Sequence, residues 1–276
     1  MKPVVLPRQA LVACLRREVA RLEGVRPLED ERSVSTGSPA LDRLLPAGGL
    51  RRGTLVEYLT PAAGSGAALL SLAAARETCR EGRAFVVLDS VAGTLRVPSP
   101  SNGTRSVPTT YIYPPAAAAW GIDLSAMLVI RPANEADALW ALDQALRCPG
   151  VGAVWGACDR LDVRDFRRLQ LAAECGGTLG LLLRPARLRG QPTWADVQLQ
   201  VGQVFNLPHQ WQTRPHSGRR GGLPPWRLCV ELVRCRGAVG GQVVFLELDE
   251  AAGIWREVPG HATHSLSVSA RLADPA

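Results

Sequence analysis

The residues best placed to do chemistry are Thr60-Pro61-Ala62-Ala63-Gly64-Ser65-Gly66, followed by Ala67 and Ala68. A glycine loop between an apolar strand and a helix turns backbone N–H groups toward a phosphate. Nucleotide chemistry there needs lysine where Ala67 stands and serine or threonine where Ala68 stands. The ammonium reaches the β- and γ-phosphates, and the hydroxyl holds magnesium. Two alanines supply neither group. Lys2 is the only lysine among 32 lysines and arginines, so no other lysine in the chain can stand in. Gly64, Ser65, Gly66, Ala67 and Ala68 therefore read as a degenerate phosphate loop, with no catalysis and no cofactor expected of it.

The acidic half of such machinery is also missing from its place. An apolar strand over Val151–Trp155 runs into Gly156, where a magnesium-binding carboxylate should close it. Asp159 reads as a turn residue rather than one corner of a magnesium cluster with Asp162 and Asp165, because a helix start favours carboxylates on its own account. Asp89, after another apolar strand, reads as a solvated strand end. His209, His216, His261 and His264 have no cysteine or acid at metal-ligand spacing, so no metal site is expected. Gly64-Ser65-Gly66 belongs to the loop and not to a nucleophile elbow.

A chain of 276 residues can hold one large domain or two small ones. Its 46% hydrophobic and 21% charged residues are ordinary for a globular protein. No apolar run reaches ~18 residues, which argues against a membrane span, and Met1–Leu6 is too short for a signal sequence. Seven cysteines with no Cys-x-x-Cys pair argue against a disulfide framework or zinc and fit a reducing cytoplasm. The net charge of +7 is carried almost wholly by arginine. That is compatible with a GC-rich genome alone. It permits a nucleic-acid partner without establishing one.

The hydrophobic periodicity places the loop in an alternating α/β frame. Leu11, Leu15, Val19 and Leu22 lie on one face of a helix over Arg8–Glu23, which either packs on its own domain or docks a partner. Strands are expected at Thr54–Tyr58, Ala84–Leu88, Met127–Ile130, Val151–Trp155 and Thr178–Leu183. Helices are expected from Gly66 to Ala75, over Glu135–Arg147 and over Asp162–Glu174. Such alternation predicts a mostly parallel sheet with helices on both faces. Asp196–Val201, Arg227–Arg234 and Gln242–Leu248 should close it as antiparallel strands. Pro98–Thr110 reads as a surface loop and Pro208–Pro225 as a basic, irregular excursion. The organisation that follows is an N-terminal helix and linker over 1–33, a core over 34–250 and a tail over 251–276.

Two basic stretches are candidates for nucleic-acid or partner contact. Arg184, Arg187 and Arg189 follow a late strand, and Arg214, Arg219 and Arg220 lie in the excursion with Trp211 and Trp226 nearby. Arginine beside tryptophan can hold a single strand by phosphate contact and base stacking, or it can be a solvated loop covering the core edge.

Ser35-Thr36-Gly37-Ser38-Pro39-Ala40-Leu41-Asp42 and Gly48-Gly49-Leu50-Arg51-Arg52-Gly53-Thr54-Leu55-Val56-Glu57 resemble the opening of the RecA-type ATPase core. Trp140–Leu146, Phe166–Glu174, Leu181–Pro185 and Leu228–Gly237, in that order, resemble ImuA-type proteins, the RecA-like accessory factors of bacterial mutagenic repair. The resemblance spans Ser35 to Asp249. It implies a RecA-like P-loop core and a role in translesion DNA synthesis, bridging a Y-family polymerase-like protein and an error-prone C-family DNA polymerase. It also implies a cytoplasmic protein associated with the nucleoid. Because that family resembles SulA-type division inhibitors, the alternatives are an inhibitor of cell division and a nucleotide-dependent, DNA-binding ATPase with an altered loop.

Overall fold

The computed structural model describes residues 33–61, 64–89, 112–204, 226–249 and 253–258, with the backbone of 94–98 and 104–108. The helix expected over Arg8–Glu23 and the excursion with Trp211, Arg214, Arg219 and Arg220 lie outside the described residues, as do the four histidines. In chain order the elements are β1 (Ser33–Val34), α1 (Pro39–Asp42), β2 (Leu50–Arg51), β3 (Leu55–Thr60), α2 (Ala67–Cys79) and β4 (Ala84–Leu88). Then come β5 (Thr94–Pro98), β6 (Thr104–Pro108), α3 (Pro114–Ala119), β7 (Met127–Ile130), α4 (Glu135–Arg147), β8 (Val151–Ala157) and α5 (Val163–Gly176). The chain continues through β9 (Leu179–Pro185), β10 (Val197–Gln203), β11 (Arg227–Cys235), β12 (Gln242–Asp249) and β13 (Ile254–Glu257).

One nine-stranded sheet runs in the order β13-β12-β11-β10-β3-β9-β8-β4-β7. From β7 to β10 every neighbouring pair is parallel. From β10 to β13 every pair is antiparallel. The sheet is therefore mixed rather than mostly parallel. Parallel strands need a crossover, whereas the short connections 236–241 and 250–253 let β12 and β13 fold straight back. β13 falls within the stretch that sequence reading assigned to the tail.

Alternation along the central strands sorts side chains into two layers. Val56, Tyr58, Leu181 and Trp155 pack with α2 on one face. Leu55, Leu182 and Val154 pack with α4 and α5 on the other. α2 is buried on nearly all sides, through Ala67, Leu70, Ser71, Leu72 and Ala73 to Ala75. α4 and α5 are one-sided, burying Ala141, Leu142, Ala145 and Leu146, and Phe166, Leu169, Ala172 and Ala173. The two helices meet closely where a Cβ on Gly176 would stand 2.1 Å from the Leu146 carbonyl oxygen. Gly177, with φ +64, ends α5 in the left-handed conformation that stops a helix.

Two local readings need revision. Pro98–Thr110, expected as loop, contains β6 of an antiparallel hairpin whose first strand is β5. The Asn102-Gly103 pair between them is a hairpin signal. α3 was not foreseen, because its alanines carry no period. Among the described residues no helix is long and apolar enough to cross a membrane.

Candidate functional site

The glycine loop expected as a degenerate phosphate site follows the C-terminal end of β3, the middle strand of the nine-stranded sheet. Gly64 and Gly66 take φ of +80 and +88, conformations that admit little but glycine. Gly66 starts α2, and its carbonyl accepts from the Leu70 N–H at 3.0 Å. Ser65 Oγ and Thr60 Oγ1 lie 2.5 Å apart across the base of the loop. The Ala67 side chain faces the core, 2% exposed, and Ala68 packs against the same cluster. Leu228 of β11 closes the neighbouring space. A Cβ on Gly66 would fall 2.3 Å from its Cδ2. The loop thus turns on two left-handed glycines, with the Ser65 and Thr60 hydroxyls at its base and aliphatic carbon from Ala67 and Leu228 beside it.

The arginines proposed for external contact divide sharply. Arg184 is buried and donates to Glu57 Oε1 of β3 at 2.5 Å and to the Cys158 carbonyl at 3.1 Å. Its guanidinium also lies 5.2 Å from the Phe166 ring. The other oxygen of Glu57 accepts from Thr193 Oγ1 and Gln198 Nε2, each at 2.8 Å, so a fully buried carboxylate is satisfied on both sides. Arg189 forks onto Glu231 at 2.6 and 2.7 Å. Those hydrogen bonds raise its already high pKa. Arg187 alone of the three points out, 66% exposed, with Asp159 at 3.9 Å.

The carboxylates also separate. Asp89 is not solvated: it is 1% exposed and accepts from Arg131 Nε at 3.2 Å. Asp162 caps α5 by accepting the Asp165 N–H at 2.6 Å. Asn134 caps α4 in the same way, through the Asp137 N–H at 2.9 Å. Among the described residues no group of His, Cys, Asp and Glu is placed to hold a metal ion.

A second opening lies along the same edge, where β4 and β8 end. Chain leaving β4 runs outward to β7, and chain leaving β8 runs inward to β9, so a crevice forms between them. It has a volume of about 780 Å³, with Leu88, Gly156, Ala157 and Cys158 at the strand ends and the first turns of α4 and α5 as walls. Burial pushes the Cys158 thiol up to about 11, against the opposing pull of Arg184.

No protein-family model matches the chain. The curated ImuA proteins of two Caulobacter vibrioides strains, NA1000 and ATCC 19089, are each 30% identical to it over 167 residues. Over that stretch the chain is similar to ImuA. The likeness expected from the ordered segments is thus found, and it covers 59% of this chain and 64% of each ImuA protein, a little under two thirds of their length.

Sequence reading located the loop and missed the crevice. Its lining comes from three separate stretches that only the crossing of β7 and β8 about β4 brings together. The available signal was a pair of helix N-caps, Asn134 and Asp162, both following strands of the parallel set.

Proposed function

We propose that this chain is a non-catalytic, RecA-like adaptor in error-prone translesion DNA synthesis. It holds a Y-family polymerase-like protein and an error-prone C-family DNA polymerase together after DNA damage, in the cytoplasm and near the nucleoid. The observation that carries this reading is the likeness to ImuA over 167 residues. A strand, glycine loop and helix at the centre of the nine-stranded sheet support the RecA-like core.

The non-catalytic half rests on the loop. Each charge-assisted bond to phosphate is worth ~1.5–3 kcal/mol. Losing two weakens nucleotide binding roughly 100-fold or more, at about 1.4 kcal/mol per decade. A protein without catalytic groups acts through its surfaces. Arg187 is the exposed member of its cluster, and with Arg219, Arg220 and the 8–23 segment it is a candidate contact for the polymerase components or for DNA.

Deletion of the gene should lower damage-induced mutagenesis while leaving viability unchanged. Undiminished mutagenesis would remove the reading. Calorimetry with magnesium and ATP tests the other half, where micromolar affinity would contradict the account of Ala67 and Ala68.

A further inference from the structure

The crevice at the ends of β4 and β8 has a composition unlike the rest of the chain. Its floor is apolar, with Leu88, Leu139, Leu142 and Leu161 around the small residues Gly156 and Ala157. Its rim carries Glu135, Asp159, Asp162 and Asp165 against a single arginine, Arg160. Arg187 and Arg168 approach Asp159 and Asp165 only at 3.9 and 3.7 Å. On a chain of net charge +7, this is an acidic mouth over an aliphatic floor.

We propose that the crevice is a docking site for a basic, apolar polypeptide segment of a partner, with leucine-like side chains on the floor and arginine or lysine against the rim. The volume lies within the ~300–1,000 Å³ of ligand sites, and its place outside the carboxyl ends of the strands is where open α/β sheets bind. Two helix N-termini converge there and would by themselves attract an anion. The capping side chains of Asn134 and Asp162 already hold first-turn N–H groups, and the rim carboxylates repel negative charge. A bare metal ion fits no better, since no cluster of acids is close enough to chelate one among the described residues. An occupant with both cationic and apolar groups meets both surfaces. The site goes beyond the adaptor reading and stands whether or not the partner is a polymerase.

The test uses the full chain and a fluorescein-labelled helical peptide of leucine and arginine, followed by anisotropy. A second peptide has every leucine replaced by serine. Saturable binding of the first, at least tenfold weaker for the second, is expected. Gly156→Val places two methyl groups on the floor and should weaken binding tenfold or more. A Cβ there would stand 3.4 Å from that of Leu88, an ordinary contact that the fold accommodates. Should that variant unfold, Glu135→Lys with Asp159→Lys changes only the exposed rim and should lose binding to the same degree. Equal binding of both peptides, equal binding by the rim variant, or no saturable binding would each overturn the site.

Discussion

Two places at the carboxyl edge of one sheet, the mouth at the end of β3 and the mouth at the ends of β4 and β8, differ in that the first is packed shut and the second is open. At the end of β3, Gly64 and Gly66 hold the chain in left-handed conformations. Every side chain described near its inner surface is small or apolar, and Leu228 presses on Gly66. At the ends of β4 and β8 nothing has closed over an opening of about 780 Å³, and carboxylates ring it. The turn at the first mouth is held by its glycines and by the packing of α2, with no ligand required. Charged side chains around an open apolar floor have no comparable role in holding the fold, apart from the cap at Asp162. The difference argues that recognition lies at the second mouth.

The two mouths are tied by Arg184, which reaches from Glu57 on the loop-bearing strand to the carbonyl of Cys158 beside the crevice. Breaking this tie should have the largest effect. Arg184→Ala leaves Glu57 buried with an uncompensated charge, for which ~3–5 kcal/mol of stability is the expected loss. Denaturant unfolding measures it. Glu57→Gln paired with Arg184→Met should recover most of that loss, since removing both charges removes the penalty. Failure to recover would mean that the pair does more than satisfy itself.

Leu228→Ala comes next. Emptying a fully buried leucine site costs ~2–5 kcal/mol by unfolding. The informative readout is calorimetry with ATP. Binding should stay absent, because the missing ammonium and hydroxyl, not the leucine, remove nucleotide affinity. Appearance of binding would turn the first mouth from a lost site into a blocked one. Gly66→Ala should cost ~1–2 kcal/mol for the left-handed residue alone, plus the clash with Leu228. A double-mutant cycle with Leu228→Ala isolates that clash, and zero coupling would show that the two do not touch.

What sequence could reveal follows the same division. The strands and helices of the parallel set were legible because each is a long periodic or continuous apolar run, as in Glu135–Arg147. The loop was legible because its chemistry lies in consecutive residues. Arg184 and Arg189 looked like surface cations because their partners, Glu57 and Glu231, are far away in the chain. Burial of Asp89 was hidden for the same reason, its cation Arg131 arriving from β7. Local pattern records what a residue is; only strand order decides which residue faces it.

The smallest effect concerns the floor of the open mouth. The Cys158 thiol is pushed up to about 11, chiefly by burial, from an ordinary value of 9.0. A folded-state pKa above the unfolded one means that the native protein holds its proton longer. The resulting stability is complete below about pH 9 and is lost as pH climbs toward 11. Wild type should therefore lose stability more steeply over that window than Cys158→Ala. At pH 8.5 iodoacetamide should reach the exposed Cys148 and Cys175 well before Cys158, as peptide mass spectrometry would read. Alkylation of Cys158 at the rate of Cys148 would mean that water already stands on the crevice floor. An apolar side chain would then gain little by docking there, and the contrast between a sealed mouth and a receptive one would lose its second half.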